Sequence, residues 1–89
     1  MPVRPVPGVK VTVSQNGRLQ LFSTLTEKRF ECNGVGTAIW IALRQHDGKT
    51  GAAATMLADL WRTDPDNTLA DIEMWVDELT DAGLLHTEL

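Results

Sequence analysis

The residues able to do chemistry are few, and they do not converge. Cys32 is a possible nucleophile, but it ends a β-rich run beside Phe30 and has no accompanying histidine-plus-asparagine or aspartate signature. A small buried thiol accounts for it more simply. His46 falls on the apolar side of a helical stretch and His86 lies near the C-terminus, neither inside a motif. Structural zinc usually takes four ligands, and Cys32, His46 and His86 fall short without help from carboxylates. The single cysteine also excludes an internal disulfide. Gly34-Val35-Gly36 before a helix resembles a phosphate loop only faintly, because the third glycine, the surrounding βαβ unit and the downstream acidic residue are missing. It serves better as a tight turn from strand to helix. The carboxylates are spread along helix faces, so none stands out as an acid and base pair. The sequence therefore points to no enzyme, no metal and no cofactor.

The chain must position its residues on a small scaffold. Eighty-nine residues make one domain, since a core of this size removes only about 60–65% of the unfolded surface. With 43% hydrophobic and 22% charged residues the composition is that of a globular domain. No apolar run approaches the ~20 residues of a membrane span, and Met1 to Gly8 (MPVRPVPG) lacks the basic start and apolar stretch of a signal peptide. A cytoplasmic protein without a membrane partner is expected. The net charge of −4 is unevenly laid down. Residues 1–46 carry six basic and two acidic side chains, residues 47–89 two basic and ten acidic, and no Lys or Arg follows Arg62.

Prolines at 2, 5 and 7 predict an extended, flexible arm over residues 1–8, with the domain occupying 9–89. Val9, Val11 and Val13 alternate with Lys10 and Thr12. Asn16-Gly17 signals a hairpin, and Leu19, Leu21 and Phe22 follow. A two-residue turn would set Phe22 opposite Val11 and leave both sheet faces apolar, unless the loop is longer. Lys28 to Cys32 (KRFEC) reads as a short edge strand with Phe30 and Cys32 on one face and Arg29 and Glu31 on the other. Asn33 then caps a helix over 34–45, with Val35, Ile39, Ala42, Leu43 and His46 on one side. Asp47-Gly48-Lys49 turns, and Thr50 caps a second helix whose inner face is Ala53, Ala54, Leu57, Leu60 and Trp61. Thr68 caps a third helix over 68–82, with Asp71 at the capping-box position and Gly83 closing it. The order is βββααα.

On the third helix Leu69, Ile72, Trp75, Val76, Leu79 and Ala82 share an arc of roughly 140°. Trp75 sits at its border beside Asp71 and Glu78, either as a half-buried core residue or as the wall of a groove. Three helices and a small sheet suggest an α+β, winged helix-turn-helix-like fold. Its usual reading helix would here carry Asp71, Glu73, Asp77, Glu78 and Asp81 and no base, which opposes nucleic-acid binding.

Lys28 to Leu85 is similar to the PqqD-like proteins, the leader-peptide recognition elements of ribosomally made, post-translationally modified peptides. The resemblance rests on the strand ending at Cys32-Asn33, then GVGTAIWIAL, the DGKT turn, the alanine-rich helix, the TDPDNTLADI lead-in and VDELTDAGLL. The short chain with a valine-rich hairpin in front looks most like the stand-alone leader-binding B proteins of lasso-peptide systems. Cys32 stands where an aliphatic residue is expected. The resemblance implies a three-stranded antiparallel sheet followed by three helices, and a precursor leader added as a fourth strand. The leader site would then comprise Lys28, Arg29, Phe30, Glu31 and Cys32 with Asp71, Met74, Trp75 and Glu78. It also implies delivery to a transglutaminase-like leader peptidase and a cyclase. The alternative is an acidic winged-helix regulator or adaptor.

Overall fold

The structure, a computed structural model, describes residues 2–88; Met1 and Leu89, the outer ends of the expected arm and domain, lie outside them. In chain order the elements are β1 (Val3–Pro5), β2 (Val9–Val13), β3 (Leu19–Ser23), β4 (Arg29–Glu31), α1 (Gly34–Gln45), α2 (Thr50–Trp61), α3 (Pro65–Asp81) and β5 (Leu85–Thr87). β2, β3 and β4 form an antiparallel sheet in that order, and β1 and β5 form a second, two-stranded one. The α+β class and the three strands followed by three helices are as expected; the second sheet is an addition to that order.

The hairpin is one residue longer than a two-residue turn. The Ser14 N–H donates to the Arg18 carbonyl at 2.9 Å, leaving Gln15, Asn16 and Gly17 as the loop, with Gly17 at φ 80°. This is the three-residue hairpin that places a glycine in the left-handed region. The extra residue moves Leu21 opposite Val11 and Phe22 opposite Lys10. Leu19, Leu21 and Ser23 therefore share the inner face with Val9, Val11 and Val13, and Phe22 goes to the outer face with Lys10 and Thr12. β4 pairs Phe30 with Leu21 and Arg29 with Phe22, so Phe30 and Cys32 turn inward as the alternation predicts.

α1 spans the expected residues and starts at Asn33, whose Oδ1 accepts from the Gly36 N–H at 2.9 Å. Ile39, Trp40, Ala42 and Leu43 are buried on its inner side, whereas Val35 is exposed. Thr50 does not cap α2 but is its first residue, and Lys49 stands at the cap with no side-chain bond. The buried side of α2 is Ala53, Ala54, Leu57 and Ala58. Leu60 and Trp61, expected inside, lie on the last turn, with Leu60 68% exposed. α3 begins earlier than Thr68: Asp64 accepts from the Asp66 and Asn67 N–H groups at 2.8 and 3.4 Å, and Pro65 takes the first helical position, where its missing N–H costs nothing. Thr68 is consequently buried inside the helix, its hydroxyl donating to the Asp64 carbonyl. Asp71 belongs to no capping box. The Leu84 N–H returns to the Leu79 carbonyl at 2.9 Å across Gly83, which closes α3 as expected.

The arm expected to be flexible is extended but held. β1 pairs along β5, the Val3 N–H donates to the Gly48 carbonyl at 2.8 Å, and Val3 is buried. Arg4 reaches Asp47 at 2.9 Å and Glu88 at 3.4 Å. The Arg4 guanidinium holds the Asp47 carboxyl below its ordinary pKa. Leu21, Leu57, Ile72, Leu79 and Leu84 are the fully enclosed aliphatic centre where sheet and helices meet, each stabilising by about 2–3 kcal/mol on burial. Among the described residues no helix is long and apolar enough to cross a membrane.

Candidate functional site

β4 is an edge of its sheet, and the pattern of its ladder says which of its groups are free. Lys28 accepts from the Ser23 N–H at 3.0 Å and Cys32 donates to the Leu19 carbonyl at 2.7 Å. Antiparallel pairs alternate, so Lys28, Phe30 and Cys32 turn their backbone groups toward β3. The N–H and C=O of Arg29 and Glu31 consequently point away, along the open edge.

Beside that edge stands one corner of α3. Gly36, in the first turn of α1, lies so close to the Trp75 indole that a Cβ on it would sit 2.9 Å from Nε1 and 3.1 Å from the Cys32 Cβ. The absence of a side chain at Gly36 is what lets the indole seat there. Trp75 is half-buried and packs against the core, as does Phe30. The border of α3 bearing Trp75 and Glu78, not the opposite border with Leu69 and Glu73, therefore faces the end of β4. α3 packs on α2 and β5 rather than along β4, which leaves the strand edge uncovered. Asp71 is exposed one turn before Trp75, and Met74 is exposed beside it. Lys28, Arg29, Glu31 and Glu78 are also exposed, and Cys32 is fully enclosed.

Burial pushes the Cys32 thiol from 9.0 up to about 11, with the carboxylates of Glu31 and Glu78 adding to the effect. The thiol stays protonated at neutral pH and is a packing residue. Because the folded pKa is the higher, its stabilising contribution is whole below pH 9 and is lost as pH rises through 11. Alkylation at pH 8 is expected to be at least about a hundredfold slower in the native than in the unfolded chain; equal rates would show an open thiol. Among the described residues no three His, Cys, Asp or Glu side chains are grouped to hold a metal ion.

The outer face of β4 holds a feature that the shorter hairpin loop concealed. Lys10, Thr12, Gln20, Phe22, Arg29 and Glu31 line a shallow depression of about 410 Å3, with the Arg29 guanidinium 5.4 Å from the Phe22 ring centroid and Arg18 3.4 Å from Glu31. Only the register, not the composition, brings Lys10 and Phe22 beside Arg29.

An open edge strand beside a half-buried aromatic gives this small α+β domain the geometry on which an extended strand could be added. The model of the family described as coenzyme PQQ synthesis protein D (PqqD) matches residues 20–85, and the chain belongs to that family. Two solved structures share its fold. One is a lasso peptide synthetase B1 complexed with the leader peptide, with a TM-score of 0.86, 17% identity, and coverage of 98% of this chain and 100% of that one. The other is TbiB1 in complex with the TbiA(beta) leader peptide, with a TM-score of 0.83, 17% identity, and coverage of 100% and 99%. No curated protein matches the chain.

Proposed function

We propose that the protein is a non-catalytic module that captures the leader of a ribosomally made precursor peptide. The leader lies along β4 as a fourth strand, its alternate side chains facing Trp75 and the neighbouring border of α3. The observation that carries this reading is the outward set of Arg29 and Glu31 backbone groups, left unpaired beside the Trp75 corner. Main-chain bonds would supply affinity and the flanking pockets specificity. Membership of the PqqD family, and a fold shared with two B proteins solved with leader peptides, support it. In this reading Lys28 to Cys32 form the docking edge, Asp71, Met74, Trp75 and Glu78 the facing wall, and a transglutaminase-like peptidase and a cyclase receive the bound precursor. The acidic α3 argues against the regulator alternative, since Asp71, Glu73, Asp77, Glu78 and Asp81 would face phosphates.

The test is a calorimetric titration of EDTA-treated protein with the leader of a precursor encoded beside it. Saturable binding without metal or nucleotide is expected. Trp75→Ala should weaken binding by more than about 1 kcal/mol, as truncation of an interfacial aromatic does. Val76→Ala, in the core, should instead cost about 1–3 kcal/mol of stability and leave affinity per folded molecule unchanged. A metal requirement, or unchanged affinity in folded Trp75→Ala, would sink the assignment of this groove.

A further inference from the structure

The three-stranded sheet has a second edge, β2, and that edge is matched to itself. Ser14 donates to Arg18, so Lys10 and Thr12 turn their backbone groups toward β3, and Val9, Val11 and Val13 turn theirs outward. The Val9 N–H is taken by the Val6 carbonyl at 3.1 Å; Val11 and Val13 have no such partner among the described residues. Their side chains are also uncovered: Val11 is 43% and Val13 65% exposed on the inner face, where the helices do not extend over them. An edge with free donors and a bare valine row is a pairing template.

We propose that β2 is a self-association edge, and that its occupant is β2 of a second copy, antiparallel about a two-fold axis at Val11. The register supports this occupant in two ways and costs it one bond at each outer pair. Val11 meets Val11, both with outward N–H and C=O, so the central pair exchanges two bonds. The Val13 N–H of each copy meets the Val9 carbonyl of the other, but the Val6 carbonyl already holds the Val9 N–H, so each outer pair contributes one bond rather than two. Lys10 falls opposite Thr12 and not opposite its own copy, so the pairing brings no like charges face to face. A two-fold axis normal to the sheet keeps inner faces together, and the exposed valines of both copies close one apolar strip. The result is a six-stranded sheet with β4 at each outer end, the two docking edges about 24 Å apart. So small an interface is below the standard size for a permanent dimer, and association is expected to be reversible and concentration-dependent.

Sedimentation equilibrium of the whole chain, without peptide, tests this. The weight-average mass should climb toward twice the monomer's as concentration is raised. Val13→Lys should weaken association at least about tenfold. Thr12 is exposed on the outer face and reports the register: Thr12→Glu, set opposite Lys10 twice per dimer, should strengthen association about threefold to tenfold, and Thr12→Lys should weaken it as much. Circular dichroism establishes that each variant is folded. A protein that stays monomeric throughout overturns the proposal, even if β2 then proves to hold a different protein. So does an association unmoved by both Thr12 variants, which would be apolar sticking without this register. Leader affinity at β4 is measured separately, and its loss in the Val13 variant would contradict the separation of the two edges.

Discussion

Glu31→Pro is expected to leave the protein folded and to weaken leader binding at least tenfold, whereas Phe30→Pro, one residue earlier, unfolds it. The two neighbours differ because the ladder alternates. The Phe30 pair with Leu21 lies between two bonds that join β4 to β3, Ser23 N–H to Lys28 and Cys32 N–H to Leu19, and so shares their inward direction. Proline there removes a ladder donor and forces its ring against β3, a loss that a protein with few strands to spare does not tolerate. The Glu31 N–H points off the edge, and its replacement leaves β3 untouched. Residue 30 is already extended, so the restriction that proline places on its predecessor adds nothing. What disappears is one donor to the added strand, with the pyrrolidine ring in its path. Glu31→Ala, which keeps the N–H, should change affinity only modestly, with the remainder damped by salt. Thermal melts and titrations of the three variants decide it. A folded Glu31→Pro with full affinity would remove β4 as the docking edge.

How far the sequence carried depends on how local each signal was. α1 was legible to the residue because Asn33 caps it by its own side chain and Gln45 ends just before a turn. The closure of α3 at Gly83 was legible for the same reason. The start of α3 was not, because two capping signals lie four residues apart. Thr68 with Asp71 looks like a capping box, but Asp64 with Pro65 at the first helical position is the stronger combination and wins. The alternation of β4 was legible, and with it the inward Phe30 and Cys32. The hairpin register turned on whether Asn16-Gly17 formed a two- or three-residue loop, and that single residue decides whether Phe22 faces the core or joins Lys10 and Arg29 outside. Leu60 and Trp61 misled because an apolar stripe on a helix says which side is apolar, not how far along it the neighbours reach. The candidate groove was legible in its parts, a strand edge and a border tryptophan. Which border of α3 faces β4 depends on the packing of Trp75 over Gly36, a contact between residues 39 apart. The pairing of β1 with β5 left no local trace, since its partners are at opposite ends of the chain.

That last pairing sets the second large effect, at Gly48. The turn between α1 and α2 passes through two left-handed residues, Asp47 at φ 58° and Gly48 at φ 79°. β1 crosses directly over it: the Gly48 carbonyl accepts from the Val3 N–H, and a Cβ on Gly48 would lie 2.3 Å from the Val3 carbonyl oxygen and 2.9 Å from its nitrogen. Those are backbone atoms, and they can give way only if the strand lifts. Gly48→Ala therefore combines strain at a positive φ, about 1 kcal/mol or more, with loss of the β1 contact and exposure of Val3 and Leu85. A total of about 3 kcal/mol is expected, a substantial share of the stability of so small a domain. The ion pairs over the same turn are a much weaker restraint. Asp47 is exposed, and Arg4→Ala, which removes both Arg4 contacts, should cost far less than Gly48→Ala because solvent screens the pairs. If backbone approach holds the strand, hydrogen exchange in Gly48→Ala should rise in β1 and β5 while β3 and α1 stay protected, and Arg4→Ala should leave that pattern unchanged. The reverse ranking, a damaging Arg4→Ala and a harmless Gly48→Ala, would mean that charge rather than the close crossing at Gly48 holds β1 on the fold.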